Sequence, residues 1–118
     1  MRILDCRGLV GLMRAAHRNH VVLANNLANL ETPGYRTSRV KFDRRLEDVL
    51  DRYGHLRPDR KVETKTYQPG YPESGPDGNN VKLEREIVEL NKNSVRMQLY
   101  LDVLHSRIRR LRDAIAGR

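Results

Sequence analysis

His17 and His20 stand three residues apart, so a helix would put both imidazoles on one face, where they could share a metal ion. No Cys, Asp or Glu lies beside them at ligand spacing, and His55 and His105 are isolated. His20 therefore reads better as a polar register residue on a helix seam or as an interface group. The acidic pair Glu47 and Asp48 sits among arginines on an expected short helix, with no partner base for acid–base work. The single Cys6 can form no disulfide within the chain. Phosphate-cradling glycine loops and the G-x-S-x-G nucleophile turn do not occur. These residues give no catalytic constellation and call for no metal, cofactor or small-molecule substrate. The expected role is that of a structural part rather than an enzyme.

The elements that would carry any function are two helices, one at each end. Leu9, Met13, Ala16, His20, Leu23, Leu27 and Leu30 step by alternating fours and threes. Leu83, Ile87, Leu90, Ser94, Met97, Leu101, Leu104, Ile108, Leu111 and Ile115 do the same. That spacing keeps one apolar seam on one side of a helix, the pattern by which helices pair in coiled coils. The first helix is expected over 5–29 and stops at Glu31-Thr32-Pro33-Gly34, where Pro33 disfavours the helical conformation in Thr32 and Gly34 permits a turn. The last helix is expected over 81–116, capped by Asn79 or Asn80, with Glu84 and Glu86 complementing its positive end. At 1.5 Å per residue the two helices measure about 35 Å and about 50 Å.

Between them, 35–42 reads as extended and 44–53 as a short helix capped by Asp43. Residues 62–67 alternate as a short strand or β-arm, and 68–80 form a loop rich in Pro and Gly. The fold class is therefore mainly α: an elongated antiparallel pair of terminal helices with an irregular middle. In the expected register Leu23 lies near Leu101. Val88, Val95, Leu99 and Val103 form a second apolar stripe opposite the seam of the last helix. A two-helix hairpin buries one face of each helix, so this stripe asks for a neighbouring molecule or for the middle segment.

At 118 residues the chain is one structural domain. Without Trp and with one Phe it cannot build a large aromatic core. No apolar run approaches the ~18 residues that span a bilayer. Asp5, Arg7 and Arg14 interrupt any apolar stretch of a cleavable signal. The net charge of +8 divides into +4 over 1–40, zero over 41–80 and +4 over 81–118. Basic ends attract nucleic acid, anionic lipid or an acidic protein surface, and a small basic helical nucleic-acid-binding protein is the rival reading. Against it, the arginines are not interleaved with aromatic residues and no nucleic-acid motif appears.

Two segments carry a resemblance. The first is Val22-Leu23-Ala24-Asn25-Asn26-Leu27-Ala28-Asn29-Leu30-Glu31-Thr32-Pro33-Gly34-Tyr35. It resembles the N-terminal signature of bacterial flagellar axial proteins, the rod and hook group. The second is Asp77-Gly78-Asn79-Asn80-Val81, followed by Leu83-Glu84-Arg85-Glu86-Ile87-Val88-Glu89-Leu90. It resembles the entry to the C-terminal helix of proximal-rod proteins of the FlgB type.

The resemblance implies a subunit of the proximal rod of the flagellar basal body, in the periplasm, exported by the flagellar type III system without a cleaved signal. It implies that 1–30 and 81–118 are the helices of the rod core and that 31–80 is a middle arm. Neighbours would be copies of the chain, other flagellar rod proteins, the rod adaptor FliE and the membrane ring at the rod base. Leu23, Leu27, Leu30, Leu83, Ile87, Leu90, Met97, Leu101, Leu104 and Ile108 would make the helix and subunit packing. Asn25, Asn26 and Asn29 would hydrogen-bond between subunits, Thr32, Pro33 and Gly34 would set the exit angle of the chain, and Tyr35 would pack on an adjacent subunit. Asp77, Gly78 and Asn79 complete the motif residues.

Overall fold

A computed structural model describes residues 7–42, 64–70 and 72–117. The three-and-four spacing of apolar residues winds two long helices, α1 (Arg7–Ala28) and α2 (Leu83–Ile115). Between them β1 (Arg39–Phe42) pairs antiparallel with β2 (Thr64–Tyr67), with Val40 opposite Thr66 and Lys41 opposite Lys65. The architecture is the expected mainly helical, elongated one, about 65 × 23 × 16 Å. The expected helix at 44–53 lies outside the described residues, as do Cys6 and His55.

The helices run antiparallel. Asn26 of α1 meets Glu86 of α2, Asn19 meets Asn93, and Leu9, Leu12 and Ala16 close around Tyr100. Each step of two turns back along α1 meets a step of two turns forward along α2. Leu23 therefore lies beside the first turns of α2, and the expected approach to Leu101 is corrected. Leu101 stands beside Met13 and His17 instead. The register follows from the loop chemistry: the chain that leaves α1 is tied to the chain that enters α2, so those two helix ends must be neighbours.

The packed faces differ from the expected seams by one residue in every second row. In α1, Leu9, Ala16 and Leu23 are buried as expected, but Leu12 and Asn26 are buried in the places assigned to Met13 and Leu27. Asn19 faces α2, and His20 is exposed. In α2, Leu90, Met97, Leu104 and Leu111 are half-buried as part of the contact face. The other row is Glu86, Asn93, Tyr100 and Arg107, all buried, instead of Ile87, Ser94, Leu101 and Ile108. A one-residue change rotates a row by about 100° around the helix. Ile87, Leu101 and Ile108 are thereby 43%, 37% and 52% exposed, and Leu83 is exposed as well. The cause is hydrogen bonding: buried polar groups must find partners, and Asn19, Asn26, Glu86 and Asn93 find theirs only in this rotation.

Asn93 shows how. Its side-chain amide donates to the Ala16 carbonyl at 2.8 Å, and its Oδ1 accepts from Asn19 at 2.9 Å and from Arg96 at 3.3 Å. One fully buried asparagine is thus satisfied by a backbone carbonyl and two side chains. Val88, Val95, Leu99 and Val103 remain exposed on the far side of α2, so the described part of the middle segment leaves that stripe open.

This register predicts a specific cross-link. In a Cys6→Ser background, Asn19→Cys with Asn93→Cys should form an intramolecular disulfide on mild oxidation, read by non-reducing electrophoresis. Asn19→Cys with Ser106→Cys should not. Bridging of the second pair in preference to the first would overturn the antiparallel register.

Candidate functional site

Glycines and asparagines in the two recognised motifs fold into one interlocked unit at the junction of α1, β1 and α2. After α1 the chain turns through Thr32, whose N–H donates to the Asn29 carbonyl at 3.1 Å. Gly34 then takes φ +76°, a left-handed conformation that disfavours any Cβ. From the other motif, Gly78 takes φ +82° and lies so near that a Cβ added to it would stand 3.3 Å from the Gly34 Cα. Gly34 N–H donates to the Asp77 carbonyl at 2.8 Å, and Asn80 N–H donates to the Tyr35 carbonyl at 3.2 Å. Two turns more than forty residues apart in sequence are stitched backbone to backbone.

Asn79 is the centre of this unit. Its side-chain amide points at the carbonyls of Asn29, Leu30 and Thr32, at 2.9, 3.1 and 2.8 Å. These three residues form the turn that follows α1, so Asn79 ties the approach to α2 to the exit from α1. Its Oδ1 accepts from Val81 N–H at 2.7 Å. Asp77 Oδ1 accepts from Asn79 N–H at 3.1 Å, holding the turn. Neither Asn79 nor Asn80 caps α2, as the sequence had suggested. The cap position is Lys82, without a side-chain hydrogen bond, because both asparagines are turned back toward the other motif.

Asn80 reaches β1's approach. Its Oδ1 accepts from Thr37 N–H at 2.6 Å and from the Thr37 hydroxyl at 2.7 Å, and all three groups are buried. Asn80 Nδ2 is buried with no hydrogen-bond partner among the described residues, an orphaned donor of the kind that costs about 1–3 kcal/mol.

Asn26 makes the second half of the site. Its Oδ1 accepts from the Tyr35 hydroxyl at 2.9 Å and from Ser38 N–H at 3.1 Å. Its amide donates to the Ser38 carbonyl at 2.8 Å and to Glu86 Oε2 at 3.1 Å. Both hydrogens and both lone pairs are used inside the chain. Glu86, fully buried, also receives Arg39 in a two-point grip: Nη2 to Oε1 at 2.7 Å and Nη1 to Oε2 at 3.0 Å. Such forked pairs fix orientation as well as charge. Burial raises the Tyr35 pKa. Glu86's charge acts in the same direction, and the hydrogen bond from Asn25 opposes it. The phenol thus stays a hydrogen donor to Asn26.

The motif residues are brought together, with a different division of labour from the expected one. Asn26 is committed within the subunit. Asn25 donates to Tyr35 at 3.3 Å, and Asn29 donates to the Asn25 carbonyl at 2.8 Å and accepts from Thr32 at 3.0 Å. The Tyr35 hydroxyl is engaged by Asn25 and Asn26. Pro33 and Gly34 lie exposed at the tip of the turn. The sequence reading did not assign Asn19, Thr37, Ser38, Arg39, Asn80, Glu86 or Asn93 to the site. A signal was present: Asn19 and Asn26 are seven apart, and so are Glu86 and Asn93, a polar row at heptad spacing. Among the described residues no three His, Cys, Asp or Glu side chains gather as a metal site. The arrangement makes and holds a junction.

Two stability effects follow. Glu86→Ala should destabilise the chain by about 3–5 kcal/mol, because it strands Arg39 and the Asn26 amide, whereas Glu86→Leu with Arg39→Met should recover most of the loss. Gly78→Ala should cost at least about 1–2 kcal/mol from the left-handed conformation alone. Gly70→Ala, with open space and no positive φ, should be near neutral. Urea unfolding followed by circular dichroism measures both.

No protein-family model matches the chain. It is 31% identical over 107 residues to the flagellar basal body rod protein FlgB of Aeromonas hydrophila, covering 81% of this chain and 80% of that protein. It is 31% identical over 104 residues to FlgB of Aquifex aeolicus, covering 86% and 84%. The match to FlgB of Bacillus subtilis is 28% over 104 residues, with 81% of each covered. With that degree of identity over four fifths of both partners, and with the motif residues joined in one junction, the chain belongs to the FlgB family of flagellar basal body rod proteins.

Proposed function

We propose that this chain is a structural, non-enzymatic subunit of the proximal rod of the flagellar basal body, and that it polymerises through its terminal helices to transmit torque. The observation that carries the polymerisation is the helix pair itself. It holds together by a polar-locked face and leaves Ile87, Leu101, Ile108, Val88 and Val95 exposed. Exposed apolar rows on a rigid helix pair mark surfaces for protein contact. Family membership supports the location in the basal body.

In this reading 1–30 and 81–118 are the rod-core segments, and 31–80 is an arm anchored by the Asn26–Arg39–Glu86 junction. Leu27, Leu30, Leu83, Ile87, Leu101 and Ile108 face neighbouring subunits, whereas Leu23, Leu90, Met97 and Leu104 hold the two helices of one subunit. The neighbours are copies of the chain, other rod proteins, the adaptor FliE and the membrane ring at the rod base. Delivery is by the flagellar type III apparatus. A helix pair with few buried apolar residues suits a subunit that must be threaded unfolded and must fold on arrival.

Mass spectrometry of purified hook–basal bodies from the native bacterium should find the chain alongside other rod proteins. Leu101→Asp changes an exposed position, so the subunit should still fold and yet abolish motility on soft agar. A particle that contains other rod proteins and lacks this chain would overturn the reading.

A further inference from the structure

Met13 and His17 of α1 and Met97 and Leu101 of α2 line one cavity of about 240 Å³ between the helices. Three of these four side chains carry atoms that bind metals: two thioether sulfurs and an imidazole. Among the described residues the lining holds no carboxylate and no thiolate. The donor sets usual for calcium, magnesium and structural zinc are therefore not the match.

The helix register sets the three donors in a triangle. Asn19 meets Asn93 and Asn26 meets Glu86, so Met97, four residues beyond Asn93, is level with Ala15, four before Asn19. Ala15 lies midway between Met13 and His17. Those two stand one turn apart on one side of α1, with Cβ atoms about 5–6 Å apart. Met97 faces the middle of the pair from α2. Methionine is unbranched and has the rotatable bonds to close on a small ion. His17 is exposed, and the broad last torsion of histidine lets it turn either nitrogen toward the cavity.

Asn93 positions the donor on α2. It is fully buried and held by Asn19 and Arg96. Its amide donates to the Ala16 carbonyl at 2.8 Å and also to the Met97 sulfur at 3.7 Å. A thioether sulfur has two lone pairs, so one is used to orient the side chain and the other remains for a metal. Partners of this kind, behind the ligands, fix ligand direction.

We propose that Met13, His17 and Met97 form a three-coordinate site for a soft monovalent cation, copper(I), which bridges α1 and α2. Thioethers are soft, neutral donors that select copper(I) over the harder divalent ions, and imidazole also suits copper. Leu101, one turn after Met97, makes the remaining wall apolar and disfavours water as a further ligand. Because the donors come from two helices, the ion binds the paired state and stabilises it. All three donors belong to one chain, so the site stands whether or not the chain assembles.

The test uses the full chain with Cys6→Ser, since the Cys6 thiol would itself take copper(I). The methionine methyl groups carry carbon-13, and the chain has three methionines, so three signals report. Silver(I) is the air-stable probe, and copper(I) is then competed against a chromogenic chelator without oxygen. One equivalent of silver(I) should shift the Met13 and Met97 signals, leave Met1 in place and raise the thermal midpoint. Met13→Leu and Met97→Leu keep the apolar volume and assign the signals. Each should weaken copper(I) binding at least about tenfold, with helicity by circular dichroism unchanged. His17→Gln should do the same, and His20→Gln should change nothing. Movement of the Met1 signal alone, or affinity that survives Met13→Leu with Met97→Leu, would overturn the proposal. Equal loss with His20→Gln would do so too, by placing the ion on the exposed His17–His20 face. Zinc(II) binding with the same dependence on both methionines would overturn the choice of a soft cation. Silver(I) binding without a rise in the midpoint would overturn the bridge between helices.

Discussion

A carboxylate removed from water must be met by charge and by hydrogen bonds, and Glu86 imposes that demand on the whole helix junction. Arg39 grips both of its oxygens, and Asn26 donates to one of them. Because Arg39 opens β1 and Asn26 belongs to α1, a single buried charge fixes three things together: the rotation of α2, the register of α1 against it, and the root of the β ribbon. Buried ion pairs contribute little net stability against apolar replacements, but they discriminate strongly among arrangements, since every wrong register leaves a charge unpaired. In this chain specificity is the larger effect.

The glycine–asparagine interlock supplies the complementary constraint. The turn after α1 presents carbonyls, and the entry to α2 brings Asn79 to them. Gly34 and Gly78, both in the left-handed conformation, lie so near that a Cβ on Gly78 would press on the Gly34 backbone. Helix termini that would fray separately are made one structure. The hydrogen-bonded ties are densest at this end of the helix pair, while the far end rests on Leu9, Leu12, Ala16 and Tyr100.

The apolar rows and the polar rows then divide the work. Polar rows at heptad spacing hold the two helices of one chain, and the apolar rows displaced by one residue are left facing outward. The same rotation that satisfies Asn93 thus exposes Leu101. Pairing within the chain and exposure of the apolar rows are coupled through a choice of about 100° on each helix.

The local composition was enough to determine two terminal helices, the stop at Pro33 and Gly34, an extended stretch before Phe42 and a strand ending at Tyr67. Each of these depends on residues close in sequence. It also determined that α2 has more apolar surface than one partner helix can cover, because that follows from spacing alone. The sequence could not say which of two adjacent rows turns inward: 87 and 86 fit the three-and-four rhythm equally, and hydrophobicity favours the wrong one. Asn79 was legible as a helix cap, because an asparagine before a helix ordinarily caps it. Its use on the carbonyls of the turn after α1 depends on a segment some fifty residues away. Tertiary structure decided those points, since a buried polar group takes its lowest free energy from its partners in space, and partners are what a linear sequence does not show.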